Sequence, residues 1–106
     1  MTRRRTATPP DQDTVLARLS AAMPELKEYY GVAHIRLFGS TARGTTRKSS
    51  DIDLMVSFAR PVGLLGLSAL KNRLEAVLEH PVDLATPDAL SPELRETVER
   101  EGVHVA

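Results

Sequence analysis

The chain has 106 residues, which is enough for one domain with a single modest core and too short for two. Its 14 basic and 14 acidic residues cancel to a formal charge of zero, so direct binding to nucleic acid or to an anionic membrane surface is not expected. It contains no cysteine, which excludes disulfides, zinc–thiolate sites and thiol nucleophiles.

The beginning of the chain predicts a disordered arm. Residues 1–10 combine a run of arginines with threonine and proline and offer almost nothing that could be buried. A solvated tail is the simpler interpretation, and a weak contact with nucleic acid is the alternative. No apolar run is long enough for a secretory signal or a membrane span, so we expect a cytoplasmic protein with one folded domain over residues 11–106.

The first predicted element after the arm is a helix, and a strand follows it. Apolar residues recur at three- and four-residue spacing, with Asp13 as the expected N-cap and Gly31 as the residue that ends the helix. Pro24 falls inside this pattern and predicts either a kink or a new start of the helix. The stretch VAHIRLF that follows is typical of a strand.

A turn of small residues follows that strand. Gly39 and Ser40 begin the stretch GSTARG, which predicts a helical turn whose unpaired backbone N–H groups point outwards. Such a turn can hold phosphate, since Gly39 lets an anion approach the main chain, Ser40 adds a hydroxyl and Arg43 adds charge. The alternative for Ser40 is a helix cap with no further role. Arg47 and Lys48, in the loop that follows, are interpreted as solvated charges.

Two aspartates separated by one residue open the next predicted strand, SDIDLMVSF. With a period of two, Ile52 and Leu54 face one way while Asp51 and Asp53 face the other, separated by two rises of about 3.3 Å each. Two carboxylates so close repel each other unless a cation lies between them, and oxygen ligands without His or Cys suit magnesium. A solvated pair is the alternative, but aspartate is depleted in strands, which favours the metal site.

A further predicted strand carries one more carboxylate. In HPVDLAT, Asp83 faces away from Val82 and Leu84. An amphipathic helix separates this strand from the previous one, and that order is typical of neighbouring strands in a parallel or mixed sheet. If the two strands pair, Asp83 lies beside Asp51 and Asp53; taken by itself, it is more often an edge or turn residue.

The end of the chain predicts a short helix and a terminal extended segment. Ser91 is a suitable N-cap, Pro92 fits the first helical position and Gly102 ends the helix. This segment is long enough to close a core and too short to form a further domain. The three histidines are scattered along the chain and are assigned no role.

The combination of these motifs resembles one protein family. GSTARG and SDIDL, with ten residues between Ser40 and Asp51, resemble the signature of the nucleotidyltransferases of the DNA polymerase beta superfamily. Residues 11–106 are most similar to its minimal nucleotidyltransferases (MNT), which include the antitoxins of HEPN toxins. The resemblance implies an α/β (α+β) nucleotidyltransferase fold, a small mixed sheet flanked by helices. It also implies a site in which Asp51, Asp53 and Asp83 are catalytic and bind two Mg²⁺ ions, while Gly39, Ser40 and Arg43 bind the nucleotide.

The same resemblance implies an activity and a partner. The expected reaction is a Mg²⁺-dependent transfer of AMP from ATP to a tyrosine hydroxyl of a HEPN ribonuclease toxin, which neutralises the toxin and implies a hetero-oligomer with it. Two alternatives stay open. One is an antitoxin that neutralises its toxin by binding alone, and the other is an enzyme that modifies a small molecule, for which an added domain would be expected.

Overall fold

The computed structural model describes residues 10–39 and 51–105. Within those ranges the chain forms a four-stranded sheet, three α-helices and one short 3-10 helix, and none of these helices is long and apolar enough to cross a membrane. Apart from Pro10, the predicted N-terminal arm lies outside the described residues. In chain order the elements are α1 (Gln12–Tyr30), β1 (Val32–Phe38), β2 (Ile52–Phe58), α2 (Leu64–Leu78), β3 (Val82–Ala85), the 3-10 helix (Pro87–Ala89), α3 (Pro92–Glu101) and β4 (Val103–His104).

The N-terminus of α1 is capped by Asp11, so the prediction of Asp13 as the cap was wrong. The Thr14 N–H donates a hydrogen bond of 2.9 Å to the Asp11 carboxylate. Asp13 instead lies in the first turn, where a negative charge interacts favourably with the helix dipole. The hydrogen bond from Thr14 favours the charged form of Asp11 and holds the pKa of this carboxyl below its ordinary value of 3.8.

Acidification is expected to weaken this cap. Because the pKa of Asp11 is lower in the folded chain than in the unfolded chain, its stabilising effect is complete above pH 3.8 and is lost as the pH falls through the lowered value. Thermal unfolding of the wild type and of Asp11→Asn between about pH 7 and pH 2 measures this, since asparagine still caps but does not titrate. The difference in Tm between the wild type and Asp11→Asn should shrink as the pH falls. A difference that is independent of pH would contradict the assignment of Asp11 as a charged N-cap.

Helix α1 runs through Pro24 as one element, so the helix does not start anew there, and the alternative of a kink stays a prediction. Proline removes one backbone donor and costs about 3 kcal/mol in a helix interior. Met23 and Leu26, which flank the exposed Pro24, are buried against the sheet and offset this cost. The helix ends at Gly31 as predicted, with φ of 73° in the left-handed region and a hydrogen bond from its N–H to the Leu26 carbonyl.

The sheet is mixed, which confirms the predicted fold class. Its strand order is β3-β2-β1-β4. Strand β1 pairs antiparallel with β2 and with β4, whereas β2 and β3 pair in parallel through the connection made by α2. The end of β1 and the beginnings of β2 and β3 therefore meet at one end of the sheet.

One face of the sheet packs against α1 and α2 and forms the core. Because side chains alternate along a strand, every second residue in the middle of β1 and β2 points to this face and is fully buried. Residues that are paired across neighbouring strands lie on the same face of the sheet. The register therefore also identifies the residues on the face opposite the core, which we call the outer face. The buried residues of β1 and β2 under the helices are Ile35, Leu37, Ile52, Leu54 and Val56, and the outer face carries His34, Arg36, Phe38, Asp53, Met55, Ser57, Asp83, Ala85 and His104.

The outer face is not uniformly open. Met55 is buried, with 6% of its surface exposed, although the alternation of β2 places it on the side of Asp53. Its position explains this, because β2 is a central strand and the register sets Met55 between Arg36 of β1 and Ala85 of β3.

Two side-chain contacts connect α2 to the elements beside it, β3 and α1. The Val82 N–H donates a hydrogen bond of 2.9 Å to the Glu75 carboxylate of α2, directly before Asp83. The Arg18 guanidinium of α1 donates a bond of 3.1 Å to the Leu78 carbonyl, which satisfies an acceptor at the end of α2. The start of β3 is therefore held to the helix that precedes it.

The C-terminal segment follows its prediction closely. The Leu94 N–H donates a hydrogen bond to the Ser91 hydroxyl, Pro92 is the first residue of α3, and the chain passes through Gly102 into β4. Strand β4 has only two residues, and the Val105 N–H donates a further bond of 2.9 Å to the Ile35 carbonyl of β1.

Candidate active site

The end of β1 brings a glycine against an aspartate of β2. Phe38 is the register partner of Asp53, and Gly39 follows immediately with φ of 75°, which is left-handed backbone. A Cβ added to Gly39 would overlap the Asp53 carboxylate. The carboxylate of Asp53 therefore lies directly on the Gly39 backbone, and only a residue without a side chain leaves it room.

The parallel pairing of β2 and β3 sets a second carboxylate beside the first. Asp53 and Asp83 are register partners, so their side chains emerge on the same face from strands whose backbones are about 4.8 Å apart. Asp53 is half-buried and Asp83 is exposed. The expected position of Asp83 agrees with this register, while its catalytic role stays a prediction.

The third predicted carboxylate precedes the strand. Asp51 is exposed and lies one residue before β2, whose first N–H, that of Ile52, donates a hydrogen bond of 3.0 Å to the Pro81 carbonyl. In the part of the chain that the structure describes, no three carboxylate or imidazole side chains form a group that could hold a metal ion. The exposed side chains of Asp51 and Asp83 would have to turn towards Asp53 to share a cation.

The donor chemistry of the three aspartates fits magnesium. Carboxylate oxygens are the hard ligands that Mg²⁺ takes, and Mg²⁺ binds through one or two carboxylates together with substrate phosphates and water. The register partners Asp53 and Asp83 supply two such carboxylates on one face. Ser40 and Arg43, the other predicted nucleotide contacts, lie outside the described residues with Arg47 and Lys48.

A pocket beside Gly39 was not predicted from the sequence. Its volume is about 180 Å³, and α3 forms one wall while the end of β1 forms the other. Among the residues that the structure describes, its lining is mainly apolar and includes one carboxylate that could accept a hydrogen bond, so it suits a largely apolar group. The described part of the pocket arises where α3 packs on the end of β1. The residues that line it include Phe38, Gly39, Leu94, Val98 and Glu101.

The sequence and the fold match a known family. Residues 19–105 match the family described as the nucleotidyltransferase domain. The chain belongs to this family and is a nucleotidyltransferase, which confirms the resemblance noted from GSTARG and SDIDL.

Relatives with a stated activity share most of the chain. Protein adenylyltransferase MntA of Thermococcus cleftensis is 40% identical over 87 residues, which cover 82% of this chain and 88% of that protein. A solved structure described provisionally as a minimal nucleotidyltransferase is 40% identical with a TM-score of 0.75, and the match covers 89% of this chain and 95% of that one. A toxin–antitoxin complex crystallised with AMP-PNP matches with 26% identity and a TM-score of 0.65, covering 92% of this chain and 73% of that one.

Proposed function

We propose that this nucleotidyltransferase is an antitoxin that transfers AMP from ATP to a tyrosine hydroxyl of a HEPN ribonuclease toxin and thereby neutralises it. The observation that carries the proposal is the row formed by Gly39, Asp53 and Asp83, in which two carboxylates from separate strands stand beside a left-handed glycine. The similarity to protein adenylyltransferase MntA supports the reaction. The similarity to a toxin–antitoxin complex with AMP-PNP supports ATP as substrate and a toxin as partner, and the HEPN class rests on the family resemblance.

Each carboxylate has a separate task in this proposal. Asp51 and Asp53 would hold two Mg²⁺ ions, and Asp83 would complete the site on the acceptor side. When bound, Mg²⁺ neutralises negative charge that develops on the phosphates during transfer. Asp83 is exposed and lies on β3, the edge strand of the sheet, so it is accessible to a hydroxyl carried by another protein.

The transfer itself breaks one bond and makes one. The acceptor oxygen attacks the α-phosphorus of ATP, the bond from that phosphorus to the oxygen bridging the α- and β-phosphates breaks, and pyrophosphate leaves. The proton of the hydroxyl passes to the Asp83 carboxylate, which acts as general base. Gly39 and Ser40 would hold the outer phosphates through backbone N–H groups and a hydroxyl, with Arg43 as a further contact.

The mass of the partner tests the proposal. The protein is incubated with ATP, Mg²⁺ and a HEPN toxin, for which the neighbouring genes are searched first, and the toxin is then analysed by intact mass and by peptide mapping. We expect the mass of AMP to be added on a tyrosine, and an analogue with a methylene bridge between the α- and β-phosphates to give no addition. A toxin that is neutralised but keeps its mass would favour an antitoxin acting by binding alone. AMP on a small molecule but never on the toxin would overturn the choice of acceptor.

Gly39→Ala is expected to impair transfer beyond its effect on stability. Alanine in left-handed backbone costs about 1–2 kcal/mol, and its Cβ would also displace the Asp53 carboxylate. Transfer by this variant should fall at least about 10-fold when measured at a temperature where the protein is fully folded, which corresponds to about 1.4 kcal/mol.

Gly31→Ala is the matched control for this variant. Gly31 has nearly the same φ, 73°, but its added Cβ meets only the flexible side chain of Arg60. It should therefore lower Tm by a similar amount and leave transfer unchanged. If the two alanine variants lose transfer equally, general destabilisation accounts for the effect at Gly39.

A further inference from the structure

Two histidines that are far apart in sequence meet on the outer face of the sheet. The Nδ1 atom of His34 in β1 lies 3.2 Å from the Nε2 atom of His104 in β4, and both residues are exposed. The pairing of β4 with β1 creates this contact, since His104 is the register partner of Arg36, two residues along β1 from His34. Neither histidine belongs to the row formed by Gly39, Asp53 and Asp83, which lies beside the end of β1, whereas His34 lies near its beginning.

We propose that His34 and His104 form a binding site for one divalent transition-metal ion, of the class Zn²⁺, Ni²⁺ or Cu²⁺, that clips β4 to β1. With metal–nitrogen bonds of about 2.0–2.1 Å, two nitrogens on one ion are about 3.3–3.4 Å apart at a tetrahedral angle and about 2.9 Å apart at a right angle. The observed separation of 3.2 Å falls between these values. The two rings therefore already stand at the spacing that a shared ion requires.

The same contact without metal is a hydrogen bond in which one ring donates and the other accepts. The ring planes are tilted by 45° and the side chains are exposed, so a small rotation about their side-chain bonds can point both lone pairs at one ion. An ion then replaces the shared proton, and water completes its coordination. Imidazole nitrogen selects Zn²⁺, Ni²⁺ and Cu²⁺ over Mg²⁺, which separates this site chemically from the aspartates.

Metal binding at this position has a defined structural consequence. Strand β4 contributes only two ladder pairs, Arg36 with His104 and Leu37 with Val103, followed by the bond from the Val105 N–H. An ion held by residues 34 and 104 would close a loop of 70 residues and bind the folded chain much more tightly than the unfolded chain. The C-terminal strand would therefore become more resistant to fraying, and Tm would rise with metal concentration.

Titration of the tag-free full chain with Ni²⁺ and with Zn²⁺ tests the proposal. Excess Mg²⁺ is kept in the buffer so that the added metal does not bind at Asp51, Asp53 and Asp83. Metal affinity is measured by calorimetry, and Tm is recorded at each metal concentration. We expect one ion per chain and a Tm that rises by several degrees. His34→Ala and His104→Ala should each weaken binding at least about 10-fold and abolish the rise in Tm, since a single imidazole no longer chelates. His80→Ala, which removes a histidine outside the pair, should bind as the wild type does.

The remaining measurements make the outcome decisive. The Cu²⁺ complex should show nitrogen couplings from two imidazoles in its electron paramagnetic resonance spectrum. Wild-type affinity in either His34→Ala or His104→Ala, or no binding to the wild type, would overturn the site. Both variants should keep the AMP transfer of the wild type, so failure of the metal clip and failure of the proposed enzyme activity are distinguishable.

Discussion

Asp53→Asn is expected to lower the rate of AMP transfer by at least about 10³-fold, equivalent to roughly 4 kcal/mol of lost transition-state stabilisation. The amide has the shape of the carboxylate but no charge, so it binds a divalent cation much more weakly than the carboxylate does. Asp53 is the carboxylate with the most constrained position, set against Gly39 on one side and in register with Asp83 on the other. Single-turnover transfer to the toxin, followed by intact mass, gives the rate.

The controls for this variant separate charge from fold. Asp13→Asn removes the same charge from the exposed first turn of α1 and should transfer AMP at the rate of the wild type. Mg²⁺-dependent binding of ATP should also weaken in Asp53→Asn, while its thermal unfolding stays cooperative. Transfer within about 10-fold of the wild type would show that Asp53 is not required to hold the ions.

Asp83→Ala is expected to abolish transfer while Mg²⁺-dependent binding of ATP is largely kept. The reason is the division of tasks in the proposed site, where Asp83 serves the acceptor hydroxyl and Asp51 and Asp53 serve the nucleotide. Asp83 is exposed in β3, so its truncation leaves the core under α2 unchanged and Tm should move little. Calorimetric titration with ATP and Mg²⁺, together with transfer rates at saturating ATP, resolves the two functions.

Asp88→Ala provides the matched control, since it is the same substitution at an exposed aspartate of the 3-10 helix that follows β3. It should leave both binding and transfer unchanged. If Asp83→Ala transfers AMP as fast as Asp88→Ala does, Asp83 has no part in the chemistry. If Asp83→Ala instead loses ATP binding as completely as Asp53→Asn, its place is among the ligands that hold the nucleotide.

Several elements could be predicted because their signals are local. Gly31 ends α1 because a helix needs a left-handed residue there, and Ser91 and Pro92 begin α3 because a cap and a fixed φ favour that start. The alternation in IDLMV placed Ile52 and Leu54 in the core and Asp53 opposite them. Each of these outcomes depends on backbone geometry within a few residues.

The errors in prediction also have identifiable causes. Asp11 and Asp13 are equally good caps by residue type, and the first buried residue, Val15, allows either start. Pro24 breaks an isolated helix, but here the burial of α1 on the sheet outweighs the lost hydrogen bond. Burial of α1 therefore outweighs the local preference for a new start at Pro24, whereas residue type alone does not distinguish the two aspartates at its N-terminus.

By itself, the sequence determined the type of most elements and the placement of Asp53 opposite Ile52 and Leu54 in β2, because strand alternation and helix termini follow from backbone sterics. Only the tertiary structure decided that Asp83 is in register with Asp53, that α3 lines a pocket at Gly39, and that the side chain of His34 contacts that of His104. Strand order and register depend on how apolar faces from distant segments pack into one core. A one-residue shift in the pairing of β2 and β3 would turn Asp83 to the opposite face.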